Sequence, residues 1–214
     1  MTRLVVLRHG ETAWSRVGRL QGRTDTELDA QGADAFSGLR VPVSLGLLRV
    51  QTSPLRRCTQ TAAHLQLFDA VVEPRIVEMS WGAWEGRLLR TLRQDLGGAM
   101  AANEARGMEF TPDGGENPRQ VLERVRPWLA EIGGAQLPTL AITHRGVIRV
   151  LLALATGWDM TGKPPAKLDW TALQVFRVDR DGLVQVEQLN LALEPAVGAS
   201  VTGAQGRSAP IAYE

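Results

Sequence analysis

Two short apolar runs end in the same way, and that shared ending limits the fold of this chain more than any other feature. Leu4-Val5-Val6-Leu7 leads into Arg8-His9-Gly10, and residues 140–143 lead into His144-Arg145-Gly146. An unbroken apolar run of this length reads as a strand buried on both faces, the pattern of a parallel sheet in an α/β domain. In open α/β sheets, ligands bind beyond the carboxyl ends of the strands, so the two post-strand loops can share one crevice. His9 and His144 each stand next to or near a glycine, which lets backbone N–H groups approach an anion. A helix predicted directly after His144 adds a dipole that favours negative charge there.

The rest of the chain alternates in the same manner. Residues 48–52 and 71–77 predict further short strands, the first interrupted by Arg49 and Gln51. Helices are predicted over residues 55–67, 87–96, 118–132 and 146–155. The third is the clearest: Val121, Leu122, Val125, Trp128, Leu129 and Ile132 recur at helical spacing, with Asn117 as cap and Pro118 in the first turn. Residues 173–178 and 183–189 alternate around Asp181-Gly182 and predict a hairpin. Together these elements imply an α/β fold, a doubly wound, mostly parallel sheet with helices on both faces and a C-terminal hairpin. A single domain is expected over residues 1–193. From residue 194 to 214 the chain turns to Ala, Gly, Ser, Thr and Pro without periodicity, which predicts a mobile tail.

With 44% hydrophobic and 22% charged residues, the 214-residue chain can bury an ordinary globular core. Its formal charge of +1 creates no bulk field for nucleic acid or an anionic membrane, so neither is an expected partner. The single cysteine, Cys58, excludes an internal disulfide and a cysteine-based zinc site. Only four consecutive apolar residues precede Arg8, too few for a secretory core, and the longest apolar run, residues 150–155, is too short to span a bilayer. The expectation is a cytoplasmic protein acting on a small molecule, with a homodimer as the assembly to consider.

Arg8-His9-Gly10-Glu11-Thr12 resembles the signature of the histidine phosphatase superfamily, which includes the cofactor-dependent phosphoglycerate mutases and many acid phosphatases. The likeness continues in order through Trp14, Gly18-Arg19, Gln21-Gly22, Asp25, Leu28 and Gly32. Ser53-Pro54-Leu55-Arg56-Arg57-Cys58-Thr59-Gln60-Thr61-Ala62 is similar to the second block of the family, and Glu78-Met79-Ser80-Trp81-Gly82-Ala83-Trp84-Glu85-Gly86 to the block with its proton donor. Gly114-Gly115-Glu116 and His144-Arg145-Gly146-Val147-Ile148-Arg149 complete the series. One such motif is weak, whereas five in the right order are specific.

The resemblance implies a phosphoglycerate mutase-like fold and phosphoryl transfer through a phosphohistidine, with neither metal nor cofactor. His9 is then the nucleophile, Arg8 and Arg57 clamp the phosphoryl oxygens, His144 stabilises developing charge, and Glu78 moves the proton. Ser15, Gln21, Gly22, Arg145 and Gly146 complete the implied substrate-binding set. Two departures stand out: family members commonly have Asn at the position of Ser15 and a small residue at that of Arg145. Glu11 and Glu85 are the alternative proton donors. The block after Glu78 runs directly into a helix, as in the α-ribazole and broad-specificity phosphatases, whereas the mutases carry an added segment. Hydrolysis of a small phosphorylated metabolite is therefore expected, with a mutase or a non-catalytic binding module as alternatives. Three other motifs lead nowhere. His64 occupies the position where a cysteine phosphatase loop starting at Cys58 would need Arg; Pro164 replaces the hydroxyl of a Walker-like loop; and Asp179 to Leu183 reads as a plain turn.

Overall fold

The computed structural model describes residues 1–196, and all structural statements refer to them. In chain order, strand β1 (Thr2–Arg8) is followed by two short helices, α1 (Ala13–Val17) and α2 (Ala30–Asp34), and the two-residue strand β2 (Leu39–Arg40). Then come β3 (Arg49–Thr52), α3 (Arg56–His64), β4 (Val71–Val72), α4 (Leu89–Glu104) and α5 (Pro118–Ala135). The last elements are β5 (Thr139–Thr143), α6 (Arg145–Thr156), β6 (Leu173–Val178), β7 (Val184–Leu191) and β8 (Glu194–Pro195).

Six strands form one sheet in the order β4-β3-β5-β1-β6-β7. The first four are mutually parallel, whereas β6 and β7 run antiparallel as a hairpin. The doubly wound sheet expected from the sequence is therefore present. The alternation of side chains along β1 shows why its apolar run is unbroken. Leu4 and Val6 pack into the cluster of α5 and α6, and Val5 and Leu7 into that of α3 and Phe36. All four are fully buried, each worth roughly 1.5–3 kcal/mol.

Helix α5 has the anticipated start: Asn117 and Gln120 exchange a reciprocal capping box, with Pro118 in the first turn. Its Trp128 indole N–H donates to Gln51 Oε1 at 2.8 Å. This explains the polar residue in β3, because a buried indole needs an acceptor. The strand predicted over residues 71–77 is confined to Val71–Val72. Pro74 has no N–H to offer the ladder and opens a 3₁₀ turn instead. The helix predicted to end at residue 96 runs on to Glu104: Gly97 leaves helical geometry at φ 48° and ψ −121°, and the helix resumes beyond it.

Strand β8 pairs antiparallel with β2, and the Ala196 N–H donates to Gly38 O. These residues open the segment predicted as a tail; its remainder, 197–214, lies outside the described residues. No helix among the described residues is long and apolar enough to cross a membrane.

Candidate active site

The parallel register of β1 and β5 sets Arg8 opposite Thr143, so the next residue of each strand, His9 and His144, stand side by side. The His9 N–H extends the ladder by donating to Thr143 O, and the two imidazole centres are 5.1 Å apart. Both rings are buried. His9 Nδ1 lies 2.6 Å from Gly10 O, and His9 Nε2 lies 3.2 Å from Arg57 Nε. A carbonyl only accepts and a guanidinium only donates, which fixes the tautomer: Nδ1 carries the proton and Nε2 presents its lone pair. Burial, reinforced by the cations of Arg8 and Arg57, holds His9 well below the usual imidazole range. Burial does the same for His144, helped by His9 and Arg57. His144 Nε2 lies 2.7 Å from Ser53 Oγ.

Arg57, the second residue of α3, is fully buried, and its orientation is set by carbonyls. Nη1 donates to Thr24 O at 2.9 Å and Nη2 to Gly22 O at 2.7 Å. The loop providing these carbonyls is fastened by Glu85, which accepts from the N–H groups of Arg23, Thr24 and Trp81 and from the Thr24 hydroxyl. Gly22 has φ +54°, and a Cβ there would lie 2.0 Å from Glu85 Oε1. Arg8 reaches in from the other side. Its Nε is buried without a hydrogen-bond partner among the described residues. Burial, with the charge of Arg145, pushes the Arg8 guanidinium down to about 10.

Glu78 is buried against the start of α6, its Oε1 accepting from the Met79 N–H at 2.8 Å and the Gly146 N–H at 3.1 Å. Gly146 is what allows this approach, since a Cβ there would lie 2.4 Å from Oε1. Burial pushes the Glu78 carboxyl above its ordinary value, outweighing those N–H groups and Arg57. The two alternative donors differ from it. At Glu85, burial is outweighed by the Thr24 hydroxyl and three backbone N–H groups, which hold that carboxyl below its ordinary value. Glu11 is half-exposed and pairs with Arg16.

Arg8, His9, Arg57, Glu78 and His144 thus converge at the carboxyl ends of β1 and β5. The five substrate-binding candidates take different places. Ser15 forms a capping box with Thr12, its Oγ accepting the Thr12 N–H at 2.9 Å. Gln21 Oε1 accepts from the hydroxyls of Thr12 and Thr26. Gly22 contributes a carbonyl and Gly146 an N–H to neighbouring side chains. Arg145 Cζ sits 5.1 Å from the centre of the Trp170 ring.

Sequence reasoning missed three supporting groups. Ser53 meets His144, and its place in the Ser53 to Ala62 block was the available signal. Thr61 accepts the Gly10 N–H. Glu116 pairs with Arg124, which donates to the carbonyls of Arg75 and Val77 and so braces the approach to Glu78. Among the described residues, no three His, Cys, Asp or Glu side chains group in a way that could hold a metal ion.

The model of histidine phosphatase superfamily branch 1 matches residues 4–191. The chain belongs to the histidine phosphatase superfamily. It is 32% identical over 197 residues to a bifunctional protein of Mycobacterium tuberculosis, an alignment covering 88% of this chain and 54% of that protein. The chain therefore spans about half the length of that relative. A glucosyl-3-phosphoglycerate phosphatase of M. tuberculosis is 33% identical over 165 residues, covering 71% of this chain and 74% of its own. In structure, the chain is similar to a mycobacterial glucosyl-3-phosphoglycerate phosphatase in complex with VO3. The TM-score is 0.72 at 25% identity, over 90% of this chain and all of the other.

Proposed function

We propose that this histidine phosphatase hydrolyses a small phosphomonoester through a phosphohistidine on His9, with no metal in the reaction. The observation that carries the reading is a neutral imidazole in a fixed tautomer beside the buried Arg57 guanidinium and within the field of Arg8, whose buried Nε–H is unanswered among the described residues. Such a site suits a phosphoryl dianion, whose charge spreads over three oxygens during transfer.

In the first step His9 Nε2 forms the N–P bond while the ester P–O bond breaks. Arg57 Nε, which now donates to Nε2, turns its proton to a phosphoryl oxygen, and Arg8 takes another. The leaving oxygen receives its proton from Glu78, whose carboxyl burial raises above its ordinary value, the direction a proton donor needs. In the second step water gives its proton to the Glu78 carboxylate and attacks phosphorus, and the N–P bond breaks to restore His9. His144 stabilises charge on the transferring group from the opposite side. Phosphatase function in a similar chain supports hydrolysis over mutase chemistry. The single, buried Cys58 supports a cytoplasmic setting.

Rapid quenching with a ³²P-labelled phosphomonoester tests the first step. The label is expected to be acid-labile and base-stable, and absent from His9→Ala; labelled His9→Ala would exclude this nucleophile. EDTA is expected to leave the rate essentially unchanged. An absolute magnesium requirement would remove the metal-free reading while leaving the family assignment intact.

A further inference from the structure

Helix α6 carries cationic groups that the chemistry above does not use. Arg145 and Arg149 stand four residues apart on one face, a spacing at which like charges repel. The Trp170 ring meets two guanidinium groups, Arg145 Cζ at 5.1 Å and Arg8 Cζ at 6.0 Å from its centre. Arg149 Cζ lies 4.9 Å from the centre of the Trp158 ring. Both tryptophans belong to the connection between α6 and β6, which also carries Lys163 and Lys167, the only lysines of the sequence.

Arg149 is half-buried, and among the described residues no carboxylate forms an ion pair with it. Burial and the neighbouring Arg145 push its guanidinium down to about 10. A cation withdrawn from water beside another cation is unfavourable by itself, and an indole face offsets only part of that cost. An anion would offset the rest. Side chains on a helix lean toward its N-terminus, here the end that holds His144 and Gly146. One helical turn, about 6 Å for four residues, separates the two arginines along the axis. Arg145 meets the same Trp170 ring as Arg8 and its charge acts on Arg149, so the cations run without a break from the phosphate site onto this surface.

We infer that Arg145 and Arg149, walled by Trp170 and Trp158, form a subsite for a second anionic group of the substrate. The preferred phosphomonoesters then carry a carboxylate or another phosphate a few bonds from the ester. This rests on the phosphatase reading and narrows its substrate class.

The test compares 3-phosphoglycerate with glycerol 3-phosphate, which differ by a carboxylate against a hydroxymethyl group. The acid is expected to be preferred in kcat/KM by about tenfold or more, the worth of one charge-assisted contact. Arg149→Gln should collapse that preference through KM, Arg149→Lys should restore part of it, and added salt should erode it in the unaltered protein. Should Arg149→Gln fail to fold, Arg149→Lys and Arg145→Gln carry the same comparison. If both esters are hydrolysed and the substitutions leave their ratio unchanged, the subsite is wrong and the phosphatase reading stands. If neither ester is hydrolysed, calorimetric titration of the two still decides the subsite, since equal affinities would overturn it.

Discussion

Glu78 and Glu85 lie in one loop, yet their surroundings pull their carboxyls in opposite directions. Glu85 is ringed by four donors and stays ionised, acting on the chemistry only through the carbonyls that hold Arg57. Glu78 is buried with fewer donors, and burial raises its carboxyl above the ordinary value. Sequence motifs alone left these two and Glu11 in competition, because protonation depends on which groups surround a carboxyl in space. Glu78→Gln separates the roles. It keeps the size and removes the proton, which matters for a basic alkyl leaving group and little for nitrophenolate. We expect slow first-step cleavage of an alkyl phosphate. With p-nitrophenyl phosphate we expect a burst of nitrophenol followed by a slow steady rate, because the base for water is also gone. Pre-steady-state kinetics on both esters checks this, and equal slowing of both first steps would take the acid role from Glu78.

Among the elements, β1, β5 and their loops were readable because one physical pattern, an apolar run ended by a polar turn, encodes both strand and site. Elements of weaker pattern were read incompletely. The helix predicted over residues 87–96 stops short of Gly97, which interrupts α4 without ending it, and α1 and α2, with five residues each, are too short to show a period. Arg124 acts through contacts between distant segments, which no local spacing records. The start of α6 carries a prediction of its own. Gly146→Ala places a methyl group against Glu78 Oε1 while suiting the helix itself. Activity toward alkyl esters should fall strongly while the melting temperature changes by a few degrees at most, equivalent to about 1 kcal/mol. Unaltered turnover would mean that Glu78 does not need its seat on the helix.

For the molecule as a whole, the site is a source of acid sensitivity. His9 and His144 bind protons less readily when folded than their ordinary value of 6.5, so the unfolded chain takes up more protons as pH falls below that value. Stability is therefore lost on acidification from about pH 6.5, by up to about 1.4 kcal/mol per pH unit for each histidine. Glu78, raised in the fold, has the opposite sign: its contribution is present below the unfolded value of 4.5 and is lost as pH rises through its folded value. The paired carboxyls of Asp29, Glu73 and Glu187, lowered in the fold, lose their contribution only at lower pH still. Denaturant titrations between pH 7 and 5.5 should show falling stability, and His9→Asn should make that fall clearly shallower. A slope unaffected by the substitution would mean that His9 is not held neutral.

Cys58 gives access to motion in this region. Its sulfur is fully buried, 3.4 Å from His144 Nε2, and burial pushes the thiol far above its ordinary range. A thiol in that condition reacts with iodoacetamide only when the layer between α3 and β5 opens and water reaches it. The chain has no second cysteine to confuse the signal. The rate of alkylation is thus a clock for the breathing of the floor beneath the two histidines, readable by mass alone and without substrate.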